Sequence, residues 1–495
     1  MSKVKKYIAV DCGAESGRVM LGAVGSDRVE LEEVHRFDNG PIEQNGSLRW
    51  DFDRLLGHIK CGISKAARLA DSQVCGIGID TWGVDFGLIS SDGRLIENPY
   101  HYRDRRTDGM MDRAFELLPK RRIYDNTGLQ FMQLNTLYQL LSMRLCHSEA
   151  LAAAKHLLFM PDLFAYHLCG RAYCEYTIAS TSQLMDMRTG EWSRIIFDAL
   201  HLSMEIMPRL VRPGTIVGRI SAEVQKQIGC GAIPIIAVGA HDTASAVAAV
   251  PAFSDNWAYF SCGTWSLIGA EVEKPYIDDK TFEHNFTNEG GVERTIRLLK
   301  NVMGLWLVQE CKRSWQEQGA ELSYSQLAEM AEQAQHFCAY LDPNDSRFLA
   351  LGDMPKRVNE YLQSTGQSAI VDKAVMTRVI LEGLAFRARW VIEKLEQITA
   401  GELEVIHMVG GGIRNELLCQ FVASATGKKV ITGPVEATAC GNILMQARAT
   451  GQIESLSAAR DIVRRSFQPR TFAPQDVTIW NEHYGRMEAK YEASR

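Results

Sequence analysis

The sequence predicts an α/β protein built as two similar halves. Three observations predict it. Short apolar, strand-like runs alternate with stretches of helical period along most of the 495 residues. A strand–turn–strand opening at residues 7–24 has a second version at 257–272. Between them, Pro251-Ala252-Phe253-Ser254-Asp255-Asn256 reads as a restart. The predicted domains are therefore 1–250 and 251–495.

Each element follows from its own residues. Residues 7–12 are short and apolar, Gly13-Ala14-Glu15-Ser16-Gly17 is a turn, and 18–24 and 28–37 complete three strands. Leu55, Ile59, Ile63 and Ala67 recur every fourth position, which predicts a helix over 51–69. Residues 74–80 read as a buried strand and 84–89 as another. Helices and irregular segments fill 107–230. A strand at 235–238 precedes a helix of small residues at 242–250. The opening pattern then returns as strand 257–261, turn Cys262-Gly263-Thr264 and strand 265–272. A long helix over 372–397 carries Val375, Val379, Phe386 and Trp390 on one face. Strand 404–409, a triple-glycine turn and a helix over 415–425 follow. The last 45 or so residues read as helices packing on the second domain.

Composition excludes several classes of function. Lys plus Arg total 54 against 60 Asp plus Glu, a net charge of −6, so no nucleic-acid partner is expected. No apolar run is long enough to span a bilayer, so no membrane partner is expected either. The start Met1-Ser2-Lys3-Val4-Lys5-Lys6 leads into too short an apolar segment for a signal peptide. The twelve cysteines form no C-x-x-C pair and no zinc spacing. Most have apolar neighbours and read as small core residues. A cytoplasmic, thiol-reducing location is expected.

Five segments carry candidate chemistry. Asp11 ends an apolar strand before a turn, Ala14, Glu15, Ser16, Gly17 and Arg18, whose backbone N–H groups suit phosphate oxygens. Asp11 suits Mg2+ held through water, since that cation keeps much of its hydration shell. The same residues also fit a plain glycine hairpin with a solvated Asp. Cys262-Gly263-Thr264-Trp265-Ser266 is a second turn of this kind, and the pair suggests two phosphate clamps facing one another across a cleft. Gly410-Gly411-Gly412 leads from strand to helix, which suits either an adenine ring against bare backbone or a flexible turn. Asn415 stands where a dinucleotide fingerprint needs glycine, and there is no P-loop. Asp242 follows His241 at a helix start and reads as either an N-cap or a general base. An ionised Asp suffices as base in phosphoryl transfer, where the base mainly orients the hydroxyl. Asp80-Thr81-Trp82-Gly83-Val84-Asp85 ends another strand, with Trp82 set either against a sugar or in the core. Tyr102-Arg103-Asp104-Arg105-Arg106 reads as a solvated loop.

Taken together, these segments resemble the FGGY family of carbohydrate kinases, over nearly the whole chain. Six stretches in order sharpen the resemblance: 35–40 (HRFDNG), 79–86 (IDTWGVDF), 135–140 (NTLYQL), 241–247 (HDTASAV), 299–306 (LKNVMGLW) and 433–437 (GPVEA). They are most similar to members that phosphorylate L-rhamnulose at its C1 hydroxyl. The resemblance implies two ribonuclease-H-like α/β domains around an interdomain cleft that close on ATP and a ketose. It implies Asp242 as catalytic base and Asp11 as the residue positioning Mg2+. Residues Ala14 to Arg18 and Thr264 would meet the phosphates, Gly411 the adenosine, and Gln309 the nucleotide. Gly83, His241, Thr243 and Asn301 would line the sugar pocket, with Trp82 beside them. Family members often carry Ser at the position of Glu15, so this side chain is expected to point away. A kinase for L-fuculose or D-xylulose, or a non-catalytic nucleotide or sugar sensor on the same fold, are the competing readings.

Overall fold

In the computed structural model, which describes residues 4–493, the opening hairpin forms where period and glycines require it. Met1, Ser2 and Lys3, part of the leader reading, lie outside the described residues. Strand β1 (Lys5–Cys12) runs antiparallel to β2 (Ser16–Val24), with Asp11 opposite Arg18. Strand β3 (Val29–Asp38) continues the sheet and brings the Phe37 ring over Gly17. A Cβ at Gly17 would fall 2.2 Å from that ring, so glycine is needed there for packing. Helix α1 (Phe52–Leu69) starts at Asp51, whose carboxylate accepts from the Arg54 N–H, and buries Leu55, Ile59, Ile63 and Ala67. Strand β4 (Val74–Thr81) lies parallel to β1 with Asp80 beside Asp11. Helix α2 (Thr136–Leu145), strands β5 (Ile216–Arg219) and β6 (Pro234–Ile236) and helix α3 (Asp242–Ala248) follow. The first sheet has the order β5-β6-β4-β1-β2-β3.

The second half starts the same way. Strand β7 (Trp257–Cys262) pairs antiparallel with β8 (Trp265–Val272). Strands β9 (Thr287–Gly290) and β10 (Ile296–Met303) and helices α4 (Trp306–Glu317) and α5 (Lys373–Thr399) come next. Strand β11 (Val405–Val409) lies parallel to β7. Helix α6 (Glu416–Thr426), strand β12 (Lys429–Thr432), helices α7 (Ala437–Ala449) and α8 (Leu456–Ser466), strand β13 (Thr471–Phe472) and helix α9 (Val477–Ala493) complete the chain. The strand order β10-β8-β7-β11-β12-β13 gives β7 the surroundings of β1. Each has an antiparallel hairpin partner on one side and a parallel strand on the other.

The chain forms two compact units. The first comprises the chain up to Pro251 together with Glu271–Leu298 and Glu436–Gln468. The second comprises Ala252–Ala270, Leu299–Val435 and the chain from Pro469 on. The reading of the tail holds for α9, which belongs to the second unit, and is corrected for α8, which belongs to the first. Arg460 on α8 pairs with Glu271 at 2.9 Å, and the Ser466 hydroxyl accepts from the Val29 N–H at 2.9 Å. An amphipathic helix announces that it has an apolar face, not which surface covers that face.

Local departures have local causes. The strand read at 84–89 starts only at Phe86, because Val84 takes a left-handed φ of +68°. Six of the twelve cysteines are buried, and the half-buried Cys169 and Cys230 pack against the first core, so core packing accounts for most of them; Cys61, Cys146 and Cys338 are exposed. Among the described residues no helix is long and apolar enough to cross a membrane.

Candidate active site

In the first unit three aspartates gather at strand ends. Asp11 and Asp80 are register partners on the parallel strands β1 and β4, so their side chains leave the sheet on one face. A bridge between Thr81 and His241 brings the start of α3 beside the same edge. Asp80 is fully buried. Its Oδ2 accepts from the Asn442 amide at 2.5 Å, while Oδ1 is buried without a partner. Burial, reinforced by the charge of Asp11, pushes the Asp80 carboxyl well above the usual range. Asp242 is raised as well, by burial first and with Asp11 adding to it; the neighbouring His241 and the Thr243 bonds offset part of that rise.

Asp242 is the first residue of α3, and His241 occupies the N-cap position. The Asp242 Oδ1 accepts from the Thr243 N–H at 2.5 Å and from the Thr243 hydroxyl at 3.0 Å. Its side chain keeps 28% exposure beside an almost buried His241, so one face of the carboxylate is open. Asp11, by contrast, is bound inside the protein. Arg18 Nε donates to Asp11 Oδ2 at 3.0 Å, and Arg18 Nη1 pairs with Glu436 at 2.5 Å. The Arg18 guanidinium is thus already shared by two carboxylates. The turn itself is braced: the Gly13 N–H donates to Ser16 O, and Asn39 bonds Gly13 O and Glu15 O. Glu15 is half-buried with its Oε1 shielded from solvent.

Gly83 and Trp82 sit on a strained turn. Val84 is β-branched yet adopts φ +68°, a costly conformation that persists only when its surroundings hold it. Here its N–H donates to the Thr181 hydroxyl, and its carbonyl accepts from the Thr136 hydroxyl at 2.7 Å. Trp82 is buried, its ring 4.0 Å from that of Trp50, and its indole N–H donates to Asp85. Asp85 also accepts from Trp50 Nε1, the Tyr102 N–H and Gln139 Nε2. Burial pushes the Asp85 carboxyl up to about 6, and the bonds from Trp50, Gln139 and Trp82 with the charge of Arg106 offset only part of that.

This shift carries a pH signature. Below about 4 the group is protonated in both folded and unfolded chains. As pH rises from about 4 to about 6 the unfolded chain ionises first, so this contribution to stability falls, by on the order of 3 kcal/mol. Asp85→Asn does not titrate and lacks this component. Denaturant unfolding at pH 4 and pH 6.5 is expected to show a larger loss for wild type than for the variant. Equal losses would contradict the assignment.

The second unit gathers the other glycines. The Gly263-Thr264 turn between β7 and β8 accepts from Gly304, Leu305 and Trp306 N–H groups at the start of α4. Gly304 lies so close that a Cβ would fall 2.5 Å from Gly263 O. Gln309 on α4 presents a buried Oε1 with no partner. The Gly410-Gly411-Gly412 turn packs on Cys262: a Cβ at Gly412 would fall 2.3 Å from its sulfur. At Gly411 a Cβ would meet nothing within 4 Å, so this glycine faces open space. Thr264, Gln309 and Gly411, far apart in sequence, are thus joined through one turn. Asn301 lies on β10 in the same unit.

Comparison with known proteins gives this arrangement a family. Residues 6–249 match the FGGY family of carbohydrate kinases, N-terminal domain, and residues 258–450 match its C-terminal domain. The chain belongs to the FGGY family of carbohydrate kinases. It is 43% identical over 480 residues to a rhamnulokinase of Bacteroides thetaiotaomicron, covering 97% of this chain and 98% of that one. A rhamnulokinase of Bacillus subtilis is 39% identical over 471 residues, covering 95% and 96%. Among solved structures, a gluconate kinase from Lactobacillus acidophilus superposes with a TM-score of 0.81 at 17% identity, covering 99% of this chain and 98% of that one. A xylulose kinase from the same organism gives 0.80 at 17%, with the same coverage. At such identities the structures speak to the fold alone: a two-domain, mixed α/β FGGY kinase, as expected.

Several residues of this FGGY site gave no signal on their own. Asp80 reads as one more strand-end acid, and its partner Asn442 lies 362 positions away. Gln139 and Thr136 sit in the stretch 135–140, which was visible only as part of a pattern. Arg106 reads as part of a solvated charge run. It turns inward instead, stacking on Tyr100 at 3.7 Å and donating to Gln139 Oε1 at 2.6 Å.

Proposed function

We propose that this chain phosphorylates L-rhamnulose at its C1 hydroxyl with ATP, giving L-rhamnulose 1-phosphate and ADP in L-rhamnose catabolism. The observation that carries the reading is 43% identity to a rhamnulokinase over nearly the full length of both chains. The geometry around Asp242 supports the same chemistry. Its partly exposed carboxylate suits alignment of a hydroxyl for in-line attack.

The division of labour proposed is 1–250 for sugar binding, the first phosphate loop, the metal and the base, and 251–495 for the second phosphate loop, the adenosine site and the sugar contact at Asn301. Asp242 serves as base, and Gly83, His241, Thr243 and Asn301 contact the sugar, with Trp82 fixing the turn that carries Gly83. Ala14, Glu15, Ser16, Gly17 and Arg18 with Thr264 meet the phosphates, while Gln309 and Gly411 meet the nucleoside. The unpartnered Gln309 Oε1 and the open face of Gly411 support the last two.

Mg2+ is the proposed metal, with Asp11 holding it through water. The donor set fits: hard carboxylate oxygens on adjacent strands, one of them the orphaned Oδ1 of Asp80. Among the described residues no three His, Cys, Asp or Glu side chains form a direct coordination cluster. The bound ion would neutralise phosphate charge. A cytoplasmic location is part of this proposal.

An ADP-release assay over L-rhamnulose, L-fuculose, D-xylulose and glycerol tests the reading. The highest kcat/KM is expected for L-rhamnulose. A preference for L-fuculose or D-xylulose would replace it with that ketose, and sugar binding without ADP formation would favour a sensor.

A further inference from the structure

The ring of His241 is held from both sides by groups of the first unit. Its Nδ1 lies 3.1 Å from Arg297 Nη2, in hydrogen-bonding geometry, and 3.2 Å from Glu289 Oε2. Its Nε2 lies 3.4 Å from Asp242 Oδ1. Arg297 is fully buried, donates through Nε to Gly290 O at 2.9 Å, and pairs with Glu289 at 3.1 Å. The backbone is fixed as firmly. The His241 N–H donates to the Thr177 hydroxyl, and Glu175 accepts from the Thr177 hydroxyl and from the Ala240 N–H.

A guanidinium stays protonated and has no lone pair to offer. In its contact with Arg297 the ring nitrogen can therefore only accept, with Glu289 Oε2 at 3.2 Å as the competing acceptor for a proton there. In a neutral imidazole the proton then sits on Nε2, the nitrogen turned toward Asp242. Glu289 balances the Arg297 charge and keeps that donor in place.

We propose that Arg297, which does not itself touch substrate, is a positioning residue for the phosphoryl transfer: it fixes His241 as the Nε2–H tautomer and so orients Asp242. The Nε2–H faces Oδ1, the oxygen already bonded by the Thr243 N–H and hydroxyl. Two hydrogen bonds and the His241 Nε2, 3.4 Å away, thus converge on one oxygen, which leaves Oδ2 to take the sugar hydroxyl. Loss of the Arg297 bond lets the proton move to Nδ1, where Glu289 accepts it. A lone pair on Nε2 then faces Oδ1, and the carboxylate turns. The inference rests on Asp242 being the base.

Nitrogen-15 NMR of histidine-labelled protein tests it without any turnover. The His241 signal is identified by its loss in His241→Gln. The expected pattern for wild type, near pH 8 where an ordinary imidazole is neutral, is Nε2–H. An Nδ1–H pattern would overturn the proposal. Arg297→Lys keeps the charge beside Glu289 but not the reach to Nδ1. It is expected to shift the tautomer and lower kcat about tenfold, with KM for ATP within about twofold of wild type. A shifted tautomer with unchanged kcat would overturn the positioning role. Failure of the sugar panel would leave the wild-type tautomer untouched, so the two readings fail separately.

Discussion

Replacing Asp242 with asparagine is expected to reduce turnover about 10³-fold or more while nucleotide binding stays near normal. The argument rests on shape. Asparagine keeps the size of the side chain and can still accept on Oδ1 from the Thr243 N–H and hydroxyl. It removes only the charge that aligns a hydroxyl and takes its proton late in transfer. If Asp242 served mainly to start α3, the variant would cost little, since Asn starts helices about as well as Asp. His241 already holds the N-cap position, so stability is expected to change little. Steady-state kinetics with calorimetric ATP titration separates the outcomes. Near-normal kcat would remove Asp242 from the base role.

Gly441→Ala is expected to be the most damaging small change in the first unit. Helix α7 crosses α3 so closely that a Cβ at Gly441 would fall 1.8 Å from Ser245 O and 2.6 Å from its carbonyl carbon. Both atoms are backbone, so no side-chain rotation relieves the clash. Overpacking of this kind costs about 3 kcal/mol at the upper end of its usual range. The strain falls on the helix that starts at Asp242, and a displacement of about 1 Å there is enough to cost about 100-fold in kcat. Gly57→Ala is the control: Gly57 lies on the exposed face of α1, a Cβ there meets nothing within 4 Å, and Ala favours the helix by about 1 kcal/mol. Denaturant unfolding and kcat are expected to fall together for Gly441→Ala and hold or improve for Gly57→Ala. Equal stability of both variants would contradict the helix clamp.

The parts of this molecule that were legible in the sequence are those set by neighbours in the chain. The β1–β2 and β7–β8 hairpins follow from short apolar runs around glycine turns, and α1 follows from Leu55, Ile59, Ile63 and Ala67. Asp242 was legible as a candidate but not as a base, because the same residue at a helix start also reads as a cap. Its exposure and the occupation of the N-cap by His241 support the base reading that we propose. What stayed hidden depends on long-range closure. Asp80 meets Asn442, Arg18 meets Glu436, and His241 meets Glu289 and Arg297 only after segments 271–298 and 436–468 return to the first unit. No local period marks such returns. The turn at Gly83 was legible from its glycine, whereas the strain at Val84 was not, since a β-branched residue argues for a strand.

Phosphorus-31 NMR of the product made from ATP and L-rhamnulose tests the central claim most directly. The account predicts one sugar phosphate whose phosphorus couples to the two C1 methylene protons, formed by wild type and not by Asp242→Asn. A phosphate on another carbon, or inorganic phosphate with no sugar ester, would contradict it.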